Sequence, residues 1–279
     1  MIPRFLKRYR ADVFFSPDGY VSLHSSVPQL LVVHDLAYLH YPNFIPRTTL
    51  WYYRYFVPKY IRKADAIVAV SRATAEDIER HFPGYVDRIA VAYNGCRESF
   101  VPLSKGEIDR VRARYSGGKP YFLFVSALHP RKNAEHLLLA YDLYRREGGK
   151  VDRLMIVGRK AWHTRRLEGI YRGMAYRDEV IFTGYLEERE LAAVTAAAFA
   201  SLYPSYFEGF GVPILEALHC EVPVITSNVS SMPEVAGDAA IYVNPRAVDA
   251  IARAMHEVED PSLRRRLVEA GRKQRQKFS

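Results

Sequence analysis

Ten short runs of apolar and β-branched residues recur along the 279-residue chain, with helical stretches between many of them. They are ADVFF (11–15), QLLVVHD (29–35), DAIVAV (65–70), RIAVAY (88–93), YFLFVSA (121–127), RLMIVG (153–158), EVIFTGY (179–185), FASLYP (199–204), VPVITS (222–227) and AAIYVN (239–244). Strands that alternate with helices argue for α/β layers built on parallel sheets. SRATAEDIERHF reads as one such helix, with Ser71 as N-cap and acids in its first turn. NAEHLLLAYDLYRREGG and PRAVDAIARAMHEVED carry clear helical periodicity further along.

The length allows two ordinary domains, and 49% hydrophobic residues supply core for both. The four earlier strands and the six later ones are separated by an irregular stretch after Asn94-Gly95, so the boundary is expected near residues 94–104. That gives a first domain over 1–99 and a second over 100–279. The first is thin, and nothing before Ala11 supplies the strand and phosphate-binding turn that normally open a nucleotide-binding α/β layer. The sequence also stops at KFS, within a basic helical segment. The expectation is a chain trimmed at its start relative to a complete enzyme, with the same question open at its end.

No apolar stretch approaches the roughly 20 residues of a membrane-spanning helix, and MIPRFLKRYRADVFF carries charges where a signal peptide has its apolar region. Cys96 and Cys220 lie far apart without metal-ligand spacing, which suits a reducing cytoplasm. The net charge of +9 gathers at the two ends: residues 1–65 hold nine Lys/Arg against four Asp/Glu, and residues 261–279 hold seven against one. Basic ends fit phosphorylated substrates or anionic lipid. Without a zinc-finger, RRM or helix-turn-helix signature, nucleic acid is not an expected partner.

Three segments can carry chemistry. In PSYFEGFGVPILEA a strand gives way to a helix with Pro213 in its first turn, so SYFEGFGV is the loop at the carboxyl edge of a parallel sheet. A helix N-terminus offers unpaired N–H groups and a positive dipole end to phosphate. Gly209 and Gly211 let the backbone approach an anion without a Cβ in the way. Glu208 and Glu216 would repel phosphate but accept hydrogen bonds from sugar or ribose hydroxyls. A nucleotide-sugar has hydroxyls at both ends and phosphates between. SALHPRKN (126–133) places Arg131 and Lys132 on a second strand-to-helix loop, where they suit a diphosphate. LVVHDLAYLHYP (31–42) brings His34 to the end of a first-domain strand, available for a hydrogen bond to sugar or for proton transfer.

In that order SALHPRKN, LMIVG, FTGYL, PSYFEGFGVPILEA, PVITSN and MPEVAGDAA resemble the retaining glycosyltransferases of family 4, from about Asp12 to the C-terminus and most densely over 120–245. The resemblance implies a GT-B fold, two Rossmann-like domains facing each other across a cleft, the first incomplete here. It implies a retaining hexosyltransferase that moves a sugar from a nucleotide-diphosphate sugar to a glycan or a polyprenyl- or lipid-linked acceptor in polysaccharide assembly, with no metal and no cofactor. Carried over by position, Arg131 and Lys132 grip the diphosphate, and Glu208 and Glu216 are the two carboxylates of an E-x7-E pattern, beside sugar and ribose. The backbone of Phe210, Gly211 and Val212 turns over phosphate and sugar, His34 approaches the sugar, and Gly184, Tyr185 and Leu186 line the base pocket. His34 and Glu208 are the residues nearest the chemistry. GDP-mannose is the first donor to try and a UDP-sugar the next.

The family's opening strand and Gly-rich loop, and its C-terminal helix crossing onto the first domain, are not evident. Donor binding is therefore the firmer expectation, and the competing one is a fragment that binds a nucleotide-sugar without transferring it. An epimerase on the same fold would need a second catalytic constellation, and none is visible. A dinucleotide oxidoreductase is disfavoured by the lack of G-x-G-x-x-G after a strand. Finally, PRTTLWYYRYFVPKYIRK (46–63) is aromatic and basic. It either packs its rings into the first domain or rests on the inner face of the membrane, with Pro58 expected to interrupt any long helix.

Overall fold

A computed structural model describes residues 2–158 and 165–278, with Arg165 as backbone only. The chain divides into two units, one of residues Met1–Asn94 with Glu208–Phe210, the other of Gly95–Phe207 with Gly211–Ser279.

The first unit contains strands β1 (Phe14–Ser16), β2 (Gln29–Val33), β3 (Ala66–Ala69) and β4 (Ile89–Val91) and helices α1 (Ile2–Arg8), α2 (Ala37–His40), α3 (Arg47–Lys63) and α4 (Arg72–His81). Its sheet is parallel throughout and runs in chain order, β1-β2-β3-β4. Leu31 and Val33 of β2, Ile67 and Ala69 of β3, Tyr60 and Ile61 of α3 and Ile78 of α4 form its core. As expected, Ser71 caps α4, its side chain accepting from the Thr74 amide at 3.0 Å. The first turn of α4 holds no acid, however; Glu76 and Asp77 fall in the second.

Pro58 does not interrupt α3, which runs unbroken for 17 residues. One backbone hydrogen bond is forfeited there, but Leu50, Phe56 and Val57 pack against the core alongside buried Tyr60 and Ile61, which holds the helix on both sides of the proline. Its aromatic residues split between faces: Phe56 and Tyr60 turn inward, whereas Trp51, 64% exposed, stacks on Tyr55 at 5.4 Å in solvent.

The second unit contains α5 (Lys105–Ser116), β5 (Phe122–Val125), α6 (Ala134–Arg146), β6 (Leu154–Val157), α7 (Arg165–Gly173), β7 (Val180–Gly184), α8 (Glu188–Ala196), β8 (Ala200–Tyr203), α9 (Val212–His219), β9 (Val224–Ser227), α10 (Met232–Ala236), β10 (Ala240–Val243), α11 (Val248–Glu257) and α12 (Pro261–Gln274). All six strands are parallel, in the order β10-β9-β8-β5-β6-β7. From β5 the chain builds outward one way through β6 and β7, then returns and builds the other way from β8. The switch point therefore lies between β5 and β8. The core runs from Phe122, Phe124, Leu154, Ile156, Ala200, Leu202 and Ile225 of the sheet to α6 and α11. The C-terminal α12 packs on α9 and α10 of this same unit.

Candidate functional site

In a parallel sheet, adjacent strands that continue in opposite directions send their following loops to opposite faces and open a crevice at the carboxyl edge. Here those strands are β5 and β8, and the loops that follow them are SALHPRKN and PSYFEGFG.

The loop after β5 makes a single tight turn at Pro130–Lys132 and ends at Asn133, which is buried and left-handed (φ 64°). Its amide nitrogen donates to the carbonyls of Pro204 (2.9 Å) and Pro245 (2.7 Å), fastening this loop to the one after β8. Arg131 adds two bonds between the loops: its guanidinium donates to the Phe207 carbonyl at 2.8 Å, and its own carbonyl accepts from the Tyr206 amide at 2.9 Å. The Lys132 ammonium donates to the Tyr203 hydroxyl at 2.7 Å. Both cations are half-buried at the switch point, each with a neutral oxygen among its partners. The Asn133 side-chain oxygen Oδ1 and the Ser205 hydroxyl are buried there without a hydrogen-bond partner among the described residues. Ser205 was not singled out from the sequence, where one serine beside a proline carries no signal.

The loop after β8 enters α9 through Gly211, the N-cap, at φ 101°. Only glycine tolerates that conformation easily. Pro213 falls in the first turn of α9, where a missing N–H costs nothing. Gly209 is explained differently from the sequence expectation. A Cβ there would overlap the His34 carbonyl, and the Gly209 carbonyl accepts from Ser71 Oγ (2.6 Å) and Thr74 Oγ1 (3.1 Å). It is a glycine for close packing within the first unit. Phe210, in the same unit, is buried with its ring 6.2 Å from that of Tyr93. Gly158, just past β6, is under a like constraint, since its φ is 143° and a Cβ would collide with the Ser126 carbonyl.

Glu208 and Glu216 are each only 6% exposed, and the two fall in different units. Burial pushes the Glu216 carboxyl up to about 7, with Arg97 opposing and Glu188 adding to the shift. Near neutral pH it therefore changes charge, as an acceptor of hydroxyl protons when ionised. Val212, the first residue of α9, is exposed. Gly184, left-handed at φ 75°, ends β7 and is followed by Tyr185, 71% exposed, and buried Leu186. β7 lies two strands from β5, about 10 Å at ordinary strand spacing. Arg131, Lys132, Gly211 and Val212 thus lie on the two loops that flank the switch point, with Glu216 further along α9 and Gly184–Leu186 at the sheet's edge.

In the first unit His34 follows β2 at the carboxyl edge of its sheet and is exposed. Its Nε2 lies 2.7 Å from the Pro17 carbonyl. A carbonyl can only accept, so Nε2 carries the proton and Nδ1 is the acceptor in the neutral ring. Asp35, two residues before α2, accepts from the Ala37 amide at 2.9 Å.

Residues 106–274 match the model of glycosyl transferases group 1, and residues 1–100 match glycosyltransferase family 4. O-antigen chain mannosyltransferase B of Escherichia coli is 32% identical over 276 residues, covering 98% of this chain and 72% of that protein. Sucrose-phosphate synthase from Thermosynechococcus elongatus superposes with a TM-score of 0.81 at 22% identity, over 99% of this chain and 72% of that one. Anabaena HepE, solved with UDP and glucose, gives 0.80 at 18% identity, over 98% and 76%.

Proposed function

The chain belongs to the glycosyl transferases of group 1 and family 4, on the GT-B fold, and from that premise we propose that it moves a mannosyl residue from GDP-mannose to a growing glycan with retention at the anomeric carbon. The observation that carries this reading is the pairing of Arg131 and Lys132 on the β5 loop with the N-terminus of α9 after β8, either side of the switch point. Cations and helix amides suit a diphosphate. Mannose is favoured by the similarity to a mannosyltransferase, and a UDP-sugar is the next donor because HepE was solved with UDP and glucose.

In this reading Arg131, Lys132 and the amides of Gly211 and Val212 hold the diphosphate, and Phe210 contributes backbone to the same turn. Glu216 accepts from the ribose hydroxyls, and Gly184, Tyr185 and Leu186 receive the base. Glu208 and His34 contact the sugar. The bond from the anomeric carbon to the diphosphate oxygen breaks as the bond to the acceptor oxygen forms on the same face. The acceptor's proton passes to the departing phosphate oxygen. Positive charge and fixed N–H donors stabilise the negative charge that develops on that phosphate, so the side chains supply what a metal supplies elsewhere.

A polyprenyl- or lipid-linked acceptor would bring the protein to the cytoplasmic face of a membrane. The exposed face of α3 supports this part of the reading, with Trp51, Tyr52, Tyr53 and Tyr55 in solvent and the Lys59 ammonium 3.4 Å from the centre of the Tyr55 ring. No helix among the described residues is long and apolar enough to cross a membrane.

Calorimetric titration of the purified chain with GDP-mannose, UDP-glucose, UDP-GlcNAc and dTDP-rhamnose tests the proposal. One nucleotide-sugar should bind, and the Arg131→Ala, Lys132→Ala double variant should lose it. Binding without transfer to any acceptor glycan would make this chain a nucleotide-sugar-binding module, and no binding at all would overturn the donor site.

A further inference from the structure

The first unit holds a second polar constellation that shares no residue with the donor set. On α4, Asp77 and His81 are four residues apart and so lie on one face of the helix. His40, the last residue of α2, reaches the same carboxylate: its Nε2 is 2.8 Å from Asp77 Oδ1 and 2.9 Å from Oδ2. His81 Nδ1 lies 3.3 Å from Asp77 Oδ1 and 2.8 Å from the Asp77 carbonyl oxygen. One nitrogen from each imidazole and one carboxylate oxygen lie within 4.8 Å of one another. The two rings meet edge to face, with centroids 5.5 Å apart.

We propose that His40, Asp77 and His81 bind a divalent transition-metal ion of the Zn2+ class. Zinc–nitrogen and zinc–oxygen bonds of about 2.0–2.2 Å place neighbouring ligand atoms of a tetrahedron roughly 3.3–3.5 Å apart. The His81–Asp77 separation already has that value, and the His40–Asp77 separation needs to open by about half an ångström. Two imidazoles with one carboxylate suit a borderline cation, whereas Mg2+ and Ca2+ favour sites made of oxygen. Binding replaces the hydrogen bond from His40 to the carboxylate, its ring carrying the proton on Nδ1 instead, and releases His81 Nδ1 from the backbone carbonyl.

The surroundings fit such an ion. Asp77 is buried at 8% side-chain exposure while His40 and His81 keep 28% and 31%, so the carboxylate is anchored and the imidazoles are open to solvent. Tyr38, on α2, is buried, and its hydroxyl has no hydrogen-bond partner among the described residues. Three protein ligands leave a fourth position for water. The consequence is structural: an ion here would pin the short α2 to α4.

The test uses the full chain, stripped of metal by a chelator and titrated with Zn2+ and with Co2+ as a spectroscopic probe. One equivalent of Co2+ should bind with the intense visible bands of a four-coordinate site. Zn2+ at about 100 times its dissociation constant should raise the melting temperature by about 5 °C, and Mg2+ should not. His40→Ala and His81→Ala should each weaken binding at least about 10-fold and abolish the thermal shift, with far-UV circular dichroism confirming that each variant is folded. No stoichiometric binding, the same shift with Mg2+, or binding unchanged in both variants would overturn the site and leave the cluster an ion pair. None of these outcomes depends on nucleotide-sugar binding, so the site can fail without the donor reading failing.

Discussion

Both units carry parallel sheets built from the same kind of short apolar strand, yet they offer very different opportunities for binding. In the first, β1 to β4 are laid down in chain order. Right-handed crossovers that proceed in one direction stay on one face, so no two adjacent strands part their loops. In the second, the order β10-β9-β8-β5-β6-β7 reverses direction once. Helices α6 and α7 then cover one face and α8 to α10 the other, and the reversal leaves a crevice where the loops after β5 and β8 diverge. The proposed diphosphate ligands cluster at that reversal, while the polar constellation of the first unit sits on the helices α2 and α4. Topology, more than composition, decides which sheet edge can hold a ligand.

The strongest way to break this comparison is to remove the cations at the reversal. The Arg131→Ala, Lys132→Ala variant should bind its nucleotide-sugar about 1,000-fold more weakly, since charged hydrogen bonds contribute about 1.5–3 kcal/mol each. If calorimetry shows a larger loss on His34→Ala, the binding energy does not lie mainly in the second unit.

Gly158→Ala probes the strand end beside β5. A Cβ there meets the Ser126 carbonyl, part of the backbone and unable to swing away, and φ is 143°. Urea unfolding should show a loss of about 3 kcal/mol or more. A neutral result would mean that the β5 loop is looser than its bonds to the β8 loop imply.

Glu216 separates stability from binding within the site. Its folded-state pKa is raised from 4.5 to about 7, so the folded protein keeps a proton that the unfolded chain has lost between those values. Stability from this group is complete below pH 4.5, falls as pH rises through 7, and is then lower by about 3 kcal/mol. Glu216→Gln should therefore be more stable than the parent at pH 8, by up to about 3 kcal/mol, with the difference gone near pH 4. The same variant should bind donor more weakly at pH 8 if the carboxylate accepts from ribose. Equal melting temperatures for the two proteins at pH 8 would show that the carboxylate carries no burial penalty.

The smallest effect belongs to the first unit. Ser71→Ala removes the cap of α4, together with the bond to the Gly209 carbonyl. It should cost about 1 kcal/mol, read by urea unfolding, with donor affinity changed much less than by the Arg131, Lys132 pair. A large affinity loss on Ser71→Ala would mean that the Glu208–Phe210 tripeptide, held by the first unit, matters to the donor as much as the switch-point cations do.

Much of this was legible in the sequence. Each of the ten apolar runs became a strand, because a β-branched run between turn residues has few alternatives once helices flank it. SALHPRKN and the loop opening at Ser205 also stood out, since charged residues and glycine between a strand and a helix mark a carboxyl edge. Other features were not legible. Pro58 argued against a continuous α3, and only the buried contacts of Tyr60 and Ile61 show why the helix survives it. Gly209 looked like an anion-approach residue, but it is needed where the His34 carbonyl comes close. His40 lies 37 residues from Asp77, and no spacing rule connects them.

The sequence alone determined the strands and most helices, the α/β class and the residue types at each strand end, because propensity and periodicity act over a few neighbours. The order of strands, the position of the reversal, the burial that shifts Glu216 and the meeting of His40 with Asp77 and His81 were decided by tertiary structure. Those features arise from contacts between residues tens of positions apart, where packing fixes the outcome and local pattern carries no information.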